Sequence, residues 1–408
     1  MKQSQMKQSE LKQNKSANSY DVIVAGAGMV GACAALSFAR KGFRVALVEP
    51  SATIKKASAV DAVYDLRLSA ISPTSQKFLN ELGIWSAIDQ NRVCDYEKMF
   101  IWHANGNAAV DFDCAQLASQ SLGAIVENNQ ILAALHNACQ LQQSIDWFLS
   151  DKITTLTENS DTTVSVKLES DTTLSADLLI ASDGRGSNTR GLTDIEVMSG
   201  SYDQIAIVAN VTTELPHQLT AWQKFLSTGP LAFLPLANGG SSIVWSCDTE
   251  LGQAMLALGD DAFCSALSEA FDGQLGQVTS VGSRQSFPLG WHSCNQWLSH
   301  RVLLIGDAAH SVHPLAGQGV NLGFSDIALL MQLLGDLESP WHKKKLRQFE
   351  RQRKSETALA THLLSGLKVL YGADNPLQNT IRDFGMQLIQ SNNGIKRQLM
   401  RQAIRNMA

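Results

Sequence analysis

The feature that most constrains the fold is a glycine pattern directly after a short apolar run. Residues 20–25 are mostly apolar and partly β-branched, which is typical of a buried parallel strand. Gly26, Gly28 and Gly31 follow in the spacing GxGxxG, then comes an Ala- and Leu-rich stretch, and a second apolar run ends at Glu49. This order of strand, helix and strand predicts the dinucleotide-binding half of a doubly wound α/β domain.

Each glycine of this pattern has a separate physical use. Gly26 permits the tight turn, Gly28 lets backbone N–H groups approach a pyrophosphate at the helix N-terminus, and Gly31 lets the helix pack closely on the strand. Glu49 stands where an acidic side chain would accept hydrogen bonds from an adenosine ribose. The alternative is a glycine-rich turn with no ligand, so the ligand has to be argued from other residues as well.

Length and composition limit the class of protein. With 408 residues the chain is too long for one ordinary core, so we expect two or three lobes. The longest apolar stretches, such as residues 327–331, fall far below the roughly 18 residues that span a bilayer. The seven cysteines are odd in number and have no CxxC spacing, which argues against a disulfide framework or a zinc site, and we predict no metal.

The rest of the chain divides by composition and periodicity. Residues 1–19 are rich in Lys, Gln and Ser without the apolar core of a signal peptide, so we predict a disordered tail on a cytoplasmic protein. Apolar and polar residues alternate around Asn105-Gly106, as in a β-hairpin, and again over 204–287, which predicts an antiparallel sheet. We therefore predict a discontinuous nucleotide-binding domain (20–92, 116–192 and 285–340), an inserted sheet domain (93–115 and 193–284) and a basic helical region (341–408).

Two further motifs identify the dinucleotide. Asp183-Gly184 and Gly306-Asp307 each follow an apolar strand, and either dipeptide alone would indicate only a surface turn. Together with the GxGxxG pattern, in this order, they resemble the class A flavoprotein monooxygenases of the para-hydroxybenzoate hydroxylase type. The resemblance implies a Rossmann-like FAD-binding domain in which Asp307 holds the ribityl chain of FAD. It also implies that Asp183 and Gly184 lie near the pyrophosphate and the path of a nicotinamide nucleotide.

Residues 313–326, with the sequence HPLAGQGVNLGFSD, resemble the signature of one subfamily, the ubiquinone-biosynthesis hydroxylases. A helix that starts near Asn321 would point its partial positive charge at the flavin edge. The resemblance implies a loop against the flavin, with His313 orienting that loop rather than acting as a base. The loop residues that it assigns to catalysis or to cofactor binding are Pro314, Gly317, Gln318, Gly319 and Asn321. We assign no catalytic base.

The same resemblance assigns other residues around the site. It places Arg67 beside the flavin, for which the alternative is a solvated charge at a strand edge. Glu127 and Asn128 also fit the subfamily, but the wider class often has a different FAD contact there, so their role is open. The apolar residues of the inserted sheet could line a pocket for a prenylated ring or simply pack in the core. The candidates for that pocket are Phe233, Pro235 and Trp245.

By this resemblance the protein is an FAD-dependent aromatic-ring hydroxylase of ubiquinone biosynthesis. It would insert one oxygen atom from O2 into a polyprenylated phenol or quinol through a flavin C4a-hydroperoxide. Residues 112–113 and 222–225 look closest to the enzymes that act on 2-polyprenyl-3-methyl-6-methoxy-1,4-benzoquinol. The alternative substrates are 2-polyprenylphenol and 2-polyprenyl-6-methoxyphenol. The reductant is open between NAD(P)H and a reductase, since no second GxGxxG occurs.

Two other functions remain possible at this point. One is an FAD-dependent reductase, halogenase or epoxidase acting on isoprenoids, and the other is a non-catalytic subunit that binds FAD and a lipid quinone in a biosynthetic complex. The complete sequence motif at 313–323 disfavours the first, and the intact glycine motifs disfavour the second.

The C-terminal region suggests a partner of negative charge. Residues 341–408 carry 13 basic and 4 acidic side chains, although the whole chain has a net charge of −5. A dense basic helix face is predicted over 342–354, and Arg397, Arg401 and Arg405 recur every four residues opposite apolar ones such as Met400. Such a helix can lie on the inner, anionic face of a membrane, or dock on the acidic body or on another subunit of a complex. Nucleic acid is disfavoured because the rest of the chain is acidic and no aromatic platform interleaves the basic stretch.

Overall fold

The computed structural model describes residues 18–56, 63–104, 108–159, 162–311, 319–371 and 376–406. Within them the chain forms three β-sheets with helices packed on two of them and a group of helices at the C-terminus. The predicted α/β fold class, with an inserted antiparallel sheet and a C-terminal helical region, is confirmed. The bounds of the domains stay predictions.

The first sheet carries the glycine pattern. Its strands β1, β2, β8, β11 and β19 run parallel in the order β19-β11-β1-β2-β8, and β1 lies at the centre because its residues are buried on both faces. The helices α1 (Met29–Arg40) and α3 (Asn128–Gln140) pack on each other beside this sheet. The elements are β1 (Ser19–Ala25), α1 (Met29–Arg40), β2 (Val45–Glu49), α3 (Asn128–Gln140), β8 (Ile145–Leu149), β9 (Ile153–Asn159), β10 (Thr163–Leu168), β11 (Thr173–Ala181), α4 (Asn188–Gly191), β18 (Leu298–Ser299) and β19 (Val302–Leu304).

The second sheet has nine strands in the order β20-β17-β12-β15-β14-β13-β5-β6, with β16 paired to β12. Its neighbours are antiparallel except for β13 and β5, which come from separate segments of the chain and run parallel. The helices α5 and α6 cover one face. The elements are β5 (Lys98–His103), β6 (Ala109–Asp113), β12 (Val197–Thr213), β13 (Thr220–Leu226), β14 (Gly229–Pro235), β15 (Ser241–Asp248), α5 (Thr249–Ala257), α6 (Asp260–Ala270), β16 (Val278–Val281), β17 (Gln285–Cys294) and β20 (His310–Ser311).

A small third sheet packs against the uncovered face of the nine-stranded sheet. It consists of β3 (Leu68–Ile71), β7 (Gly123–Glu127) and β4 (Cys94–Tyr96), all antiparallel. Ala70, Tyr96 and Ile125 from these strands share one apolar cluster with Ala232 and Leu234 of β14. The helix α2 (Pro73–Glu81) follows β3, and the Ser72 side chain caps it by accepting a hydrogen bond from the Ser75 N–H.

Four helices complete the described chain: α7 (Gly319–Leu334), α8 (Lys343–Tyr371), α9 (Pro376–Ser391) and α10 (Asn393–Asn406). Within the described residues, none of the helices combines the length and the apolarity needed to cross a bilayer. The predicted basic face of 342–354 needs correction, because Arg353 is only 1% exposed and turns into the protein. Part of the apolar side of α10 is also buried, since Met400 is 5% exposed and packs in the apolar cluster between the third sheet and the nine-stranded sheet.

Candidate active site

The turn after β1 has the conformation that the glycine spacing requires. Gly26 adopts a φ of +90°, and a Cβ there would come within 2.8 Å of the Asp183 backbone. A Cβ on Gly31 would lie 1.8 Å from the Gly26 carbonyl oxygen, so neither position tolerates a side chain. At Gly28 a Cβ would meet no heavy atom of the described residues within 4 Å beyond the turn itself. Gly26 and Gly31 thus serve packing, and Gly28 keeps the approach to the turn open.

The N-terminus of α1 offers a place for an anion. Gly28 is its N-cap, the first turn holds no acidic residue, and no side chain of the described chain caps it. The exposed N–H groups and the helix dipole therefore favour a negatively charged ligand there. Glu49 lies beside this turn, where its carboxylate accepts hydrogen bonds from the N–H groups of Ala27 (2.7 Å) and Ser51 (2.9 Å). Its contact with a ribose remains a prediction.

The Asp183-Gly184 segment lies directly against the glycine turn. The Ser182 hydroxyl donates to the carbonyl oxygen of Ala25 at 2.7 Å. Asp183 accepts hydrogen bonds from the Thr189 N–H (2.9 Å) and from the Ser187 hydroxyl, so its carboxylate shapes its own loop. The structure thus brings the first two motifs together, although about 150 residues of chain separate them.

The Gly306-Asp307 turn is held by three different elements. The Gly306 N–H donates to Asp326 of α7 (2.8 Å), and the Asp307 carbonyl accepts from His292 Nε2 of β17 (2.9 Å). The Ala308 carbonyl accepts from Arg190 Nη1 at 2.8 Å. Burial lowers the pKa of His292 to about 4, so the ring is neutral and carries the donating proton on Nε2. This bonding fixes the turn while its Asp307 side chain stays available.

The Asp307 side chain faces a cleft. Solvent reaches it, although protein surrounds most of it. The loss of surrounding water raises the pKa of Asp307, and the charges of His310, Arg185 and Arg67 act in the opposite direction. Arg67 is exposed and stands over the ring of Phe287, with its Cζ 5.8 Å from the ring centroid. The charges of Arg67 and Arg185, which come from two other segments of the chain, therefore both act on Asp307.

The start of α7 supports strand β3 rather than opening to the cleft. The helix begins at Gly319, close to the predicted start. Asn321 is fully buried, and its side chain accepts from the Ser72 N–H (3.0 Å) and donates to the Ala70 carbonyl (2.7 Å). The predicted contact of Asn321 with the cofactor stays a prediction, and the observed bonds make it a brace between α7 and β3. Other predicted loop residues lie outside the described residues: His313, Pro314, Gly317 and Gln318.

Glu127 receives a role that the sequence left open. It is 1% exposed and forms a buried ion pair with Arg92, whose Nε and Nη2 lie 2.7 and 2.9 Å from its two oxygens. The same carboxylate accepts from the Asp65 N–H at 2.7 Å. Asn128 accepts from the Ser69 hydroxyl at 2.7 Å. Together these residues hold the segment that presents Arg67.

A small apolar cavity lies between the third sheet and the nine-stranded sheet. Its walls come from β3, β4 and β7 on one side and from β5, β13 and β14 on the other, and Gln223 and Tyr96 supply the polar side chains. Burial raises the pKa of Tyr96 to about 12, so its phenol is neutral at ordinary pH. The lining residues are Ala70, Tyr96, Met99, Ile125, Ala221, Trp222, Gln223, Ala232 and Leu234.

The structure does not bring the predicted pocket residues to this cavity. Phe233 is 1% exposed and stacks on Phe271, the residue just after α6, with the ring centroids 3.9 Å apart. Trp245 lies in the same helix-covered core, and Pro235 is buried at the end of β14. Ala232 and Leu234, the neighbours of Phe233, point to the other face because side chains alternate along a strand. Residues 231–236 are apolar at every position, so alternation gave no sign of the face.

Sequence reasoning also missed two residues beside the motifs. His136 of α3 is buried, donates from Nε2 to the Ala27 carbonyl (2.7 Å) and accepts from the Lys55 N–H (3.0 Å), which ties the glycine turn to α3. Tyr96 came from a segment with no motif. Among the described residues no group of His, Cys, Asp and Glu side chains is arranged to hold a metal ion.

Comparison with known proteins identifies the class that this fold and site define. A family model described as "FAD binding domain" matches residues 19–361. In the solved structures, p-nitrophenol 4-monooxygenase PnpA from Pseudomonas putida superposes with a TM-score of 0.75 at 17% identity, covering 95% of this chain and 97% of that one, which is a likeness of fold.

Two curated relatives narrow the class. Ubiquinone biosynthesis monooxygenase COQ6, mitochondrial, of Danio rerio is 33% identical over 434 residues, covering 93% of this chain and 89% of the relative. Ubiquinone hydroxylase UbiL of Rhodospirillum rubrum is 30% identical over 394 residues, covering 94% and 89%. The chain belongs to the FAD-binding monooxygenase family that includes these proteins, and its predicted cofactor, FAD, is confirmed. The open glycine turn, the uncapped helix N-terminus and the exposed Asp307 suit that cofactor.

Proposed function

We propose that this protein hydroxylates the ring of a polyprenylated phenol or quinol in ubiquinone biosynthesis, with 2-polyprenyl-3-methyl-6-methoxy-1,4-benzoquinol as its substrate. The observation that carries this proposal is the match to a ubiquinone biosynthesis monooxygenase over 93% of this chain, together with the position of a small apolar cavity that Gln223 and Tyr96 border. The cavity has room for about one water molecule, so the substrate ring would enter between the third sheet and the nine-stranded sheet as they move apart. The names of the relatives support the pathway.

Each part of the site would make a separate contribution. The N-terminus of α1 and Gly28 would hold the FAD pyrophosphate, Glu49 the adenosine ribose and Asp307 the ribityl chain. Gly184 and Asp183 would border the path of the reductant. The loop with Pro314, Gly317, Gln318 and Gly319 would contact the flavin edge. Bound FAD supplies the activation of O2.

The cavity walls would orient the substrate and keep water away from the reacting atoms. The Gln223 amide can both donate to and accept from a ring hydroxyl, and the neutral Tyr96 phenol can do the same. Asn321 would hold the cavity wall in register with α7, because it bonds to Ala70, which lines the cavity. No lining side chain of the described residues carries a charge at neutral pH.

The test is to load the purified protein with FAD and offer it the reduced benzoquinol under ¹⁸O₂, with NADH, NADPH or a chemical reductant. Mass spectrometry of the product should show one added oxygen atom of mass 18. A product with a reduced double bond or an epoxide would replace the hydroxylase proposal by one of its alternatives. Binding of FAD and quinol without any product would favour the non-catalytic role.

The ring position needs a separate test. Bacterial strains that each lack one ring hydroxylase of the pathway should be complemented one by one. We expect rescue of the strain that accumulates the 3-methyl-6-methoxy benzoquinol. Rescue of a different strain alone would move the proposal to 2-polyprenylphenol or 2-polyprenyl-6-methoxyphenol.

We also propose that α9 and α10 bind the surface of an anionic membrane, where a polyprenylated substrate resides. Phe384 and Leu388 lie one turn apart on α9 and are 67% and 48% exposed. Residues 384–406 contain four basic and no acidic side chains, and Arg397 and Arg401 are exposed on α10. Exposed apolar residues beside arginines are the features of an interfacial helix.

The opposite sides of these helices are docked on the protein body. Asp383 of α9 bonds to His103 at 2.9 Å, and Lys396 of α10 pairs with Asp111 at 3.2 Å. Met386 packs beside Val110. Both hypotheses about the C-terminal region, docking on the body and contact with a membrane, can therefore hold at once on different faces.

Flotation with liposomes that contain anionic lipid tests this surface. We expect a Phe384→Ser/Leu388→Ser variant to float less than the wild type. The control is Leu141→Ser, since Leu141 is 74% exposed just after α3, in a different part of the chain. Equal flotation of wild type and double variant would refute the membrane proposal, and capture of an acidic protein instead of lipid would do so as well.

A further inference from the structure

Arg353 of the long helix α8 is buried behind the predicted flavin site. It is 1% exposed, although it belongs to the most basic stretch of the chain. Its Nε donates to Asp326 Oδ1 at 2.7 Å, its Nη2 donates to the Leu322 carbonyl at 3.1 Å, and its Nη1 meets Glu356 at 2.5 Å. All three guanidinium nitrogens are thus engaged, which fixes both the position and the plane of the group.

Asp326 connects the fixed guanidinium group of Arg353 to the Gly306-Asp307 turn. It is fully buried, and the oxygen that does not face Arg353 accepts from the Gly306 N–H (2.8 Å) and from His310 Nε2 (3.0 Å). Burial alone would raise the pKa of Asp326, but His310 and Arg353 outweigh it and hold the pKa below its ordinary value. The carboxylate therefore stays ionised and keeps its bond to Gly306 at neutral pH.

The ring of His310 is itself held in place. It stacks on Trp297 with the ring centroids 4.7 Å apart, and the backbone N–H of Trp297 donates to Glu350 of α8 at 2.7 Å. Two residues of α8 thus reach the turn: Arg353 through Asp326, and Glu350 through the Trp297 backbone and the stacked His310 ring. Both connections are buried.

We propose that Arg353 is a positioning residue for the cofactor: through Asp326 it holds the backbone of Gly306, and so aims Asp307 into the cleft. This inference rests on the proposed role of Asp307 in binding FAD. Because linkage is reciprocal, FAD bound at Asp307 also strengthens the docking of α8. A helix from the C-terminal region is thereby part of the cofactor site, because Arg353 directly contacts Leu322 and Asp326 at the end of the 313–326 motif.

A purely structural role does not account for the buried ion pair of Arg353 and Asp326. Buried ion pairs contribute little net stability, because desolvation offsets the attraction, and apolar residues of similar volume often serve as well. An apolar pair at these positions would leave the Gly306 N–H without its acceptor. The bond to Gly306 is the feature that requires the carboxylate, and the carboxylate requires the arginine.

The experiment measures FAD affinity of the apoprotein by quenching of flavin fluorescence, under conditions where circular dichroism shows each variant to be folded. Arg353→Met should raise the Kd for FAD by roughly 10- to 100-fold, the effect that loss of an outer-shell supporting residue has at metal sites. Arg353→Lys should recover part of the affinity. The matched control is Arg351→Met, because Arg351 is exposed on the same helix, and its Kd should equal that of the wild type.

A folded Arg353→Met variant with the Kd of the wild type would overturn the inference. If that variant does not fold, hydrogen–deuterium exchange on the wild type decides instead. Added FAD should slow the exchange of amides at 349–357, and unchanged exchange there in a protein that demonstrably binds FAD would overturn the inference. Failure of the wild type to bind FAD at all would instead count against the proposed function, so the two outcomes are distinguishable.

Discussion

The two faces of the nine-stranded sheet are both apolar, yet they are covered in different ways. On one face Phe233 and Trp245 pack under the helices α5 and α6 in a closed core. On the other face Ala232 and Leu234 meet the small third sheet and leave a cavity. The smaller side chains on the second face are what leave the space. A strand of continuous apolar residues can therefore serve packing on one side and binding on the other.

The largest effect on stability should come from a substitution on the face of the sheet that α5 and α6 cover. Phe233→Ala should lower the free energy of unfolding by about 3–5 kcal/mol, because the ring is buried and stacked on Phe271. Chemical denaturation followed by circular dichroism measures this. Phe384→Ala is the matched control, since Phe384 is 67% exposed and should change little. An equal loss of unfolding free energy in both variants would contradict the view that Phe233 lies in a closed core.

A substitution on the face that borders the cavity should change the activity more than the stability. Ala232→Leu fills the cavity, so we expect hydroxylation of the benzoquinol to fall by at least about tenfold while overpacking costs no more than about 1–3 kcal/mol. Turnover and thermal unfolding are measured on the same preparation, and FAD binding should persist. Full activity of this variant would place the substrate elsewhere.

A smaller loss is expected when one polar group of the cavity is removed. Gln223→Leu keeps the approximate size of the side chain but removes its hydrogen bonds, so kcat/KM should fall by roughly tenfold, the equivalent of one hydrogen bond. Gln253→Leu, on the exposed side of α5, is the control and should match the wild type. An unchanged kcat/KM in the cavity variant would show that Gln223 does not contact substrate.

The smallest effect at neutral pH concerns Tyr96. Its pKa is raised from 10.0 to about 12, so the folded protein holds the proton more tightly than the unfolded chain. The stabilisation is fully present below pH 10 and is lost as the pH rises to about 12. Tyr96→Phe should therefore remove part of the alkaline loss of stability and leave the pH profile of turnover unchanged between about pH 6 and 9. A shift of that profile would assign Tyr96 a titrating role.

Local signals made part of this molecule predictable. A β-branched run followed at once by glycines, or by Gly-Asp, determines a strand and a turn from a few neighbouring residues, and the structure has those elements where the sequence predicts them. The face of a strand is harder to predict when every residue is apolar, as in 231–236. The burial of Arg353 could not be predicted either, because Arg351, two residues away, has the same charge. What distinguishes Arg353 is its contact with Asp326, which lies 27 residues away in the sequence.

The way the Gly306-Asp307 turn is held has a consequence for the synthesis of the chain. Its partners come from the middle of the sequence (Arg190), from β17 (His292) and, through Asp326, from Arg353. Such a high contact order means that the turn reaches its final form only after most of the chain has left the ribosome. We therefore expect a stalled nascent chain that ends before Arg353 to form the parallel sheet and yet retain FAD poorly. Cofactor capture would then report that translation has passed α8.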